Sequence, residues 1–366
     1  MRRDTRLGHF TKFLLALFLI SSCSTIRVLK EDETILKENI VEIVNNDELS
    51  LSKFNQFIRQ QPNNSFLFGW NPFLSIYNWS SGKDRGWDRF VEKIGQPPVV
   101  LDTFLVKRSS TNITNYLTSI GYYNSQVHDT IITKNKKSSV KYSVTTGDTY
   151  IINDIEYSVK DEAVGAIIMA NMEETLIKRG ERLSERALDS ESERVASILR
   201  ERGYYNFSKN YLFFEADTLR RDGTADLFIR VENYTRNESI RDARPHNLYS
   251  IRNISIFPDY DPMLGLVDTT RVYNIVEHPN FDLYHRGTRT IKTRVLDKMN
   301  TLRKGDPYNE KEATNTYNRL VSLRYFSGVN VQFDEVLEDS TLFPNKVDCT
   351  IRLTPSKSQG YKINLE

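Results

Sequence analysis

The sequence is poor in cysteine and in long apolar runs. Its 366 residues include only two cysteines, Cys23 and Cys349. If Cys23 is modified, no disulfide can form, and the folded domains must then be held by core packing. No run of about 18 or more apolar residues occurs, which excludes a helix that spans a bilayer. The formal net charge is only +2, so the overall charge gives no argument for binding nucleic acid.

The chain also lacks the sequence signatures of common enzymes. No G-x-S-x-G, P-loop, H-E-x-x-H or G-x-G-x-x-G motif occurs. His278 and His285 share one segment, but no carboxylate or cysteine spacing nearby completes a set of metal ligands. The other histidines are scattered, at His9, His128 and His246. We therefore predict no enzymatic activity, no catalytic residue, no metal site and no cofactor.

The N-terminus differs in kind from the rest of the chain. Basic residues precede the apolar run 13–20, and small residues follow it, as in a signal peptide over 1–22. The sequence Ile-Ser-Ser-Cys at 20–23 resembles a bacterial lipobox, which predicts lipidation of Cys23. Ser24, rather than aspartate, fits sorting to the outer membrane, with the chain anchored there by lipid and facing the periplasm. An ordinary secretory signal with an incidental cysteine is the alternative.

The tetrapeptide GYYN occurs twice, at 121–124 and at 203–206. In both copies a leucine lies four residues before the glycine, which places the two on one helical face. The glycine then fits the left-handed position that ends a helix. A weaker third copy has Arg324 in place of the glycine, so either a left-handed turn there costs about 1 kcal/mol or the helix ends differently. The repeated residues are Gly121, Tyr122, Tyr123, Gly203, Tyr204, Tyr205, Tyr325 and Phe326.

Each copy is followed by two runs of alternating residues, which predict a hairpin with one buried face. The predicted pairs are 126–134 with 139–145, 207–216 with 225–231, and 329–336 with 346–353. Cys349 falls on the buried face of the last strand and is expected to be an inert, packed thiol. Tyr150-x-Ile-x-x-Ile and Tyr249-x-Ile-x-x-Ile open the second and third units. Each unit therefore reads as strand, helix, helix, strand, strand.

The predicted organisation follows from these repeats. It comprises a signal peptide at 1–22, a first unit at 23–148 with an aromatic insertion at 62–98, a second unit at 149–240, a third unit at 246–355 with an insertion at 259–288, and the start of a further strand at 356–366. Residues 65–90 hold all three tryptophans. Such density indicates either a packed accessory subdomain or an exposed hydrophobic docking surface.

A repeated strand–helix–helix–strand–strand unit behind a lipobox resembles the POTRA-domain region of Omp85-superfamily outer-membrane assembly proteins. Within them it is most similar to TamL, the lipoprotein variant of TamA. The matching segments are FLFGWNPF at 66–73, GYYN twice, KGDPYNEKEA at 304–313 and the tail at 353–366. The resemblance implies an α+β fold of tandem POTRA-like units, each a three-stranded sheet packed on two helices. It also implies that 356–366 begins the first strand of a C-terminal β-barrel absent from this sequence.

The resemblance implies the sheet order first, third, second, which leaves the strand after GYYN at an edge. Such an edge accepts a client strand by β-augmentation. The expected partners are unfolded outer-membrane β-barrel proteins and a TamB-like periplasmic protein, and no nucleic acid. The alternative is a structural docking lipoprotein that bridges to the TamB-like partner alone. The candidate client-binding residues are Phe207, Lys209, Tyr211, Phe213, Val329, Val331 and Phe333, each of which also reads as an ordinary core-facing residue.

Overall fold

The computed structural model describes residues 29–30, 32–46, 48–64, 71–83, 85–219, 222–235, 243–265, 273–289, 291–336 and 345–356. The predicted signal peptide, the lipidation site Cys23 and the tail 357–366 lie outside these residues. The described chain is mixed α+β and divides into two compact units. One runs up to Tyr150 and includes Arg182–Arg186; the other contains Ile151–Glu181 and the chain from Ala187 onward.

The first unit contains one repeat and its aromatic insertion. Strand β1 (Ile35–Ile43) leads to a 3₁₀ helix (Leu51–Phe57), and the insertion supplies two short helices, α1 (Pro72–Tyr77) and α2 (Gly86–Ile94). The long helix α3 (Thr103–Ser119) and the hairpin β2 (Gln126–Lys134) and β3 (Lys137–Thr145) complete it. The three strands form a sheet in the order β1-β3-β2, in which β1 runs parallel to β3.

The second repeat follows the same plan. It comprises β4 (Ile151–Val159), α4 (Glu162–Ala170), a 3₁₀ helix (Met172–Glu174), α5 (Glu185–Arg200), a 3₁₀ helix (Lys209–Tyr211), β5 (Leu212–Asp217) and β6 (Thr224–Val231). Its sheet order is β4-β6-β5. The alternating burial of β6 places Ala225, Leu227, Ile229 and Val231 on the helix-covered face. This is the face that the alternation of the sequence predicts.

The third repeat departs from the predicted three-stranded sheet. It contains β7 (Ser250–Phe257), α6 (Pro262–Gly265), β8 (Asn274–His278), β9 (Phe281–His285), α7 (Thr293–Met299), α8 (Glu310–Ser322), β10 (Phe326–Glu335) and β11 (Lys346–Pro355). Its sheet has five strands in the order β10-β11-β7-β9-β8. The three predicted strands β7, β10 and β11 are present, and the sheet gains two more because the insertion folds into the hairpin β8–β9 and β9 pairs with the outer edge of β7.

The repeated glycines have the predicted backbone conformation. Gly121 and Gly203, each just beyond the end of a long helix, have φ values of +90° and +101°. Arg324, in the third copy, has φ +52°, so the chain keeps the left-handed turn although the residue has a side chain. Gly180 and Gly305 also have positive φ. They lie several residues beyond the first helices of their repeats, in turns that bond to the first strand.

The core of the third repeat confirms the expectation for Cys349. The residues of β11 alternate in burial, and Cys349 is fully enclosed beside Val347 and Ile351. Burial raises the pKa of its thiol, with nearby Asp334 and Asp348 acting in the same direction. The thiolate is therefore strongly disfavoured, and Cys349 serves as a packing residue.

Candidate functional site

The strand that follows each GYYN-like segment lies at the edge of its sheet. Strands β2, β5 and β10 are the terminal members of their sheets. Within the described part of the chain, each pairs with only one other strand, namely β3, β6 and β11 respectively. The order first, third, second that the resemblance implied is therefore confirmed for the three repeated strands. The outer edges of these strands are the candidate functional site.

The hairpin turn fixes which main-chain groups of β2 face outward. Asn135 and Lys136 form a two-residue turn and both have positive φ, as in a type I′ turn. Such a turn makes Lys134 and Lys137 a hydrogen-bonded pair, and pairing alternates along an antiparallel ladder. Consistently, the carbonyl group of Val144 points to β1, where the Val44 N–H donates to it. The outward-facing residues of β2 are therefore Val127, Asp129, Ile131 and Thr133.

The same reasoning applies to β5. The Glu232 N–H donates to the Tyr211 carbonyl at 2.9 Å, which makes Tyr211 and Glu232 a hydrogen-bonded pair. By alternation, Phe213 bonds inward to β6. The main-chain groups of Leu212, Phe214 and Ala216 therefore point outward, and of these the Leu212 N–H already donates to the Lys209 carbonyl.

On β10, the Val336 N–H donates to the Lys346 carbonyl at 2.9 Å. Alternation then turns the main-chain groups of Val329, Val331 and Phe333 outward, while their side chains pack against the core. One of these outward groups is already bonded, because the Tyr205 hydroxyl donates to the Phe333 carbonyl at 2.8 Å. The accessible part of this edge is therefore the stretch that contains Val329 and Val331.

Three of the four predicted binding residues of the second repeat precede strand β5 instead of lying on it. Phe207 is buried and precedes the strand, with its ring 4.7 Å from that of His246. Lys209 and Tyr211 lie in a 3₁₀ helix, and Lys209 forms an ion pair with Asp189 at 2.7 Å. The predicted strand 207–216 was therefore too long at its start, because long-range aromatic packing holds Phe207 away from the ladder. Only Phe213 lies on β5, with an exposed side chain.

The opposite edges of the sheets are partly covered by their own chain. On β4, Ile152 exchanges two main-chain bonds with Gly180 and Glu181. On β7, Ile251 makes the same two bonds with Gly305 and Asp306, and β9 covers the strand further along. The start of β1 is bonded in the same way to residues 99 and 101. The edges of β2 and β5 thus differ from these in offering outward groups along the whole strand, apart from the Leu212 N–H.

The second tyrosine of GYYN has a separate role in the joint between the second and third repeats. The Tyr205 ring lies 5.6 Å from that of Tyr249 and 5.0 Å from that of Tyr308. Asn206 donates to the Tyr249 hydroxyl at 2.8 Å. Burial, aided by the neighbouring Glu335 carboxylate, raises the pKa of Tyr249. These contacts explain why the motif keeps two tyrosines: Tyr204 enters the core of its own repeat, and Tyr205 packs on the next.

An ion pair and a side-chain hydrogen bond reinforce this joint. Arg200, near the end of α5, donates through Nε to Glu310 at the start of α8, at 2.8 Å. The Asn309 side chain, which caps α8, also donates to the Glu201 carbonyl at 2.8 Å. Polar and aromatic contacts therefore act on both sides of the connection, and the second and third repeats pack as one compact unit.

Two kinds of feature are absent from the described residues. Among them, no three histidine, cysteine, aspartate or glutamate side chains come together as metal ligands. No helix in this part of the chain combines the length and the apolar character needed to cross a bilayer.

Comparison with known proteins gives likenesses at the level of structure. No protein-family model matches the sequence, and no curated protein matches it. A crystal structure of POTRA3-5 of BamA from Haemophilus influenzae is 12% identical, with a TM-score of 0.46, over 89% of this chain and 99% of that chain. The N-terminal domain of Omp85 from Thermosynechococcus elongatus is 12% identical, with a TM-score of 0.26, over 90% of this chain and 100% of that one. POTRA1-3 of the periplasmic domain of Omp85 from Anabaena is 12% identical, with a TM-score of 0.27, over 90% of this chain and 98% of that one.

These solved structures are all described as POTRA or Omp85 domains, the class that the sequence motifs resemble. The more specific similarity to TamL stays a prediction. At these identities and TM-scores, a function for this chain has to be argued from its own strand edges.

Proposed function

We propose that this chain is the periplasmic POTRA-like part of an outer-membrane protein-assembly or translocation factor, without enzymatic activity. In this proposal the outer edges of β2 and β5, with part of β10, bind extended segments of client proteins by β-augmentation. The observation that carries the proposal is the row of outward main-chain groups on β2 and β5 with no partner strand in the described chain. Unfolded outer-membrane barrel proteins are the expected clients.

The energetics favour weak, sequence-tolerant binding. Four outward residues on β2 present about eight main-chain groups, and three on β5 present about five, because the Leu212 N–H is already bonded. Each bond contributes a net stabilisation of about 0.5–1.5 kcal/mol. Ordering each residue of an unfolded client costs about 1–2 kcal/mol, so the two terms nearly cancel. Such an edge binds many sequences and releases them readily, which suits an assembly factor.

The side chains beside the edges add modest apolar contact. Ile131 and Ile132 are exposed on β2, and the exposed Phe213 ring on β5 has the Arg230 guanidinium 5.9 Å from its centroid. Edges with exposed apolar residues are normally blunted in soluble proteins because they recruit other strands. Their retention here supports a role in binding strands.

Site-specific photo-crosslinking in cells tests this proposal. A photoreactive residue in place of Ile132 or Phe213 should capture many unfolded barrel precursors. Tyr317, an exposed residue on α8, is the matched control position and should capture far fewer. Equal capture from all three positions would refute the edges as client sites.

A second candidate function is docking to one fixed partner, such as a TamB-like periplasmic protein. The contacts of Tyr205 and the Arg200–Glu310 pair favour it, because they hold two repeats as one body suited to bridging. In the same crosslinking experiment, a single dominant partner at Ile132 and Phe213 would support docking over client binding.

We further propose that a lipid at Cys23 holds the repeats at the outer membrane. Labelled fatty acid supplied to cells should be incorporated into the unmodified chain and not into the Cys23→Ala chain. Equal labelling of the two chains would argue against lipidation of this residue.

A further inference from the structure

We propose that the aromatic insertion of the first repeat is a membrane-docking surface that binds the phospholipid headgroup region. This surface, the aromatic face, consists of Phe73, Trp79, Trp87, Phe90 and Ile94. All five side chains are exposed, and Trp79 and Trp87 are 62% and 60% exposed. The proposal goes beyond client binding, because it uses neither β2 nor β5.

Helix α2 presents part of the aromatic face as one stripe. Trp87, Phe90 and Ile94 recur at spacings of three and four residues, which places them on one side of the helix. The rings of Trp87 and Phe90 lie 5.9 Å apart. A stripe of large apolar side chains in water is unfavourable, since each loses the stabilisation of about 1.5–3 kcal/mol that full burial would give. We therefore expect a ligand to cover this stripe.

The face of α2 that adjoins the stripe is buried and fixes the stripe in this orientation. Val91 is buried, as is Leu74 of α1. Asp88 is also buried, and its carboxylate accepts hydrogen bonds from the Ser81 N–H at 2.7 Å and from the Arg85 N–H at 3.2 Å. The Ser81 N–H is the main cause that lowers the pKa of Asp88. Because Asp88 and Val91 are buried, α2 cannot turn the stripe inward.

The charges around the aromatic face favour a lipid surface over an apolar protein groove. The cationic residues Lys83, Arg85, Arg89 and Lys93 are exposed. Asp88 and Glu92 instead turn toward the loop before α2 and accept hydrogen bonds from Ser80. Tryptophan beside lysine and arginine is the composition typical of protein segments that lie in a membrane interface, where the rings enter the headgroup region and the cations bind phosphate.

The position of the insertion in the chain supports the same ligand. The described part of the first strand begins at Ile35, only 12 residues after Cys23. Such a segment spans at most about 40 Å, so a lipid on Cys23 would keep the first repeat close to the bilayer. A lipobox cysteine carries at least two acyl chains, which already suffice for stable anchoring. The aromatic face would then set how the first repeat lies against the bilayer.

Depth-dependent fluorescence quenching tests this proposal on the full, membrane-bound chain. Trp70 and Trp79 are replaced with phenylalanine, so that Trp87 is the sole reporter. On vesicles of phosphatidylcholine and phosphatidylglycerol with brominated acyl chains, its emission should shift to the blue and be quenched. The matched control carries all three Trp→Phe changes and Tyr317→Trp, a reporter on an exposed helix of another repeat, and should not be quenched.

Two outcomes would decide against the proposal. If the chain binds vesicles but Trp87 is quenched no more than the control, the aromatic face does not enter the membrane. If the blue shift occurs without vesicles and grows with protein concentration, the face binds a second copy of the chain. A Lys83→Glu, Lys93→Glu variant should lose part of the quenching on anionic vesicles and none on vesicles of phosphatidylcholine alone. A lipid-binding failure leaves client crosslinking at Ile132 unaffected, so the two proposals fail separately.

Discussion

Removal of the Tyr205 side chain should uncouple the second and third repeats. The ring packs edge-on against Tyr308 and Tyr249, and its hydroxyl donates to the Phe333 carbonyl. Tyr205→Phe loses one hydrogen bond, for which about 1 kcal/mol is expected. Tyr205→Ala also loses the aromatic packing; full truncation of a core ring costs about 3–5 kcal/mol, and for this half-buried ring we expect about 2–3 kcal/mol.

Urea unfolding measures this effect. In the unmodified chain the second and third repeats should unfold in one transition, because they form one compact unit. In Tyr205→Ala the third repeat should unfold at a lower urea concentration, which splits or broadens that transition. Tyr317→Ala, on the exposed face of α8, should leave it unchanged. A Tyr205→Ala chain with the same midpoint and slope would refute the assignment of Tyr205 as the joint.

Three further predictions concern stability. Arg324→Gly should stabilise the third repeat by up to about 1 kcal/mol in urea unfolding. A left-handed conformation costs a non-glycine residue about 1–2 kcal/mol, and the larger entropy that glycine loses on folding offsets part of this gain. A destabilised variant would contradict the prediction. Burial lowers the pKa of His246, whose Nε2 bonds to the Glu232 carbonyl. Folding therefore favours the neutral form, and the free energy of unfolding should fall as the pH drops below about 6.5. His246→Gln should flatten this fall, and an unaltered pH profile would count against the assignment. Glu191→Gln should destabilise the second repeat by roughly 3 kcal/mol, because it leaves the largely buried Arg194 without its carboxylate. Asp189→Asn removes the carboxylate of an exposed pair and should have no measurable effect. Equal effects of the two changes would refute the importance of burial.

Much of the repeat could be predicted because its signals are local. The hairpin after the first GYYN was expected at 126–134 and 139–145, and it lies at Gln126–Lys134 and Lys137–Thr145. Alternation of apolar residues sets such strands, and a glycine after a leucine-bearing helix marks where the helix ends. The third copy shows the strength of this pattern, since Arg324 takes the left-handed turn despite its side chain.

The errors arose where long-range packing decides. Phe207 continues an apolar pattern that reads as strand, but its ring packs on His246, a contact between residues 39 positions apart in the sequence. The hairpin in the third-repeat insertion was missed, although Pro279-Asn280 between Ile275 and Leu283 is a turn signal that could have found it. Its strands are only five residues long, and short strands carry little periodicity.

The candidate site was predicted in outline but not in its atoms. The edge position of the strands followed from the resemblance, whereas the residues whose main chain faces outward depend on hydrogen-bond register. On β10 the main-chain groups of the predicted residues Val329, Val331 and Phe333 do face outward. On β5 the outward residues are Leu212, Phe214 and Ala216, none of which had been named. A hydrophobic pattern fixes the face of a side chain, and the turn and the paired strand fix the direction of the backbone groups.

The most direct test of strand binding removes outward N–H groups without altering the rest of the sheet. Proline is tolerated at edge positions whose N–H faces solvent, and there it blocks a further strand. The test chain therefore carries Ile131→Pro and Ala216→Pro, and the control carries Ile131→Ala and Ala216→Ser, which keep both N–H groups. Binding is measured by fluorescence anisotropy with a labelled, unfolded barrel-strand peptide. The prolines remove one or two hydrogen bonds at each edge, and about 1.4 kcal/mol corresponds to a factor of ten in affinity. The affinity of the test chain should therefore be lowered about tenfold or more, and that of the control chain should change little. Equal affinity of the two chains, both folded by circular dichroism, would contradict binding at these edges.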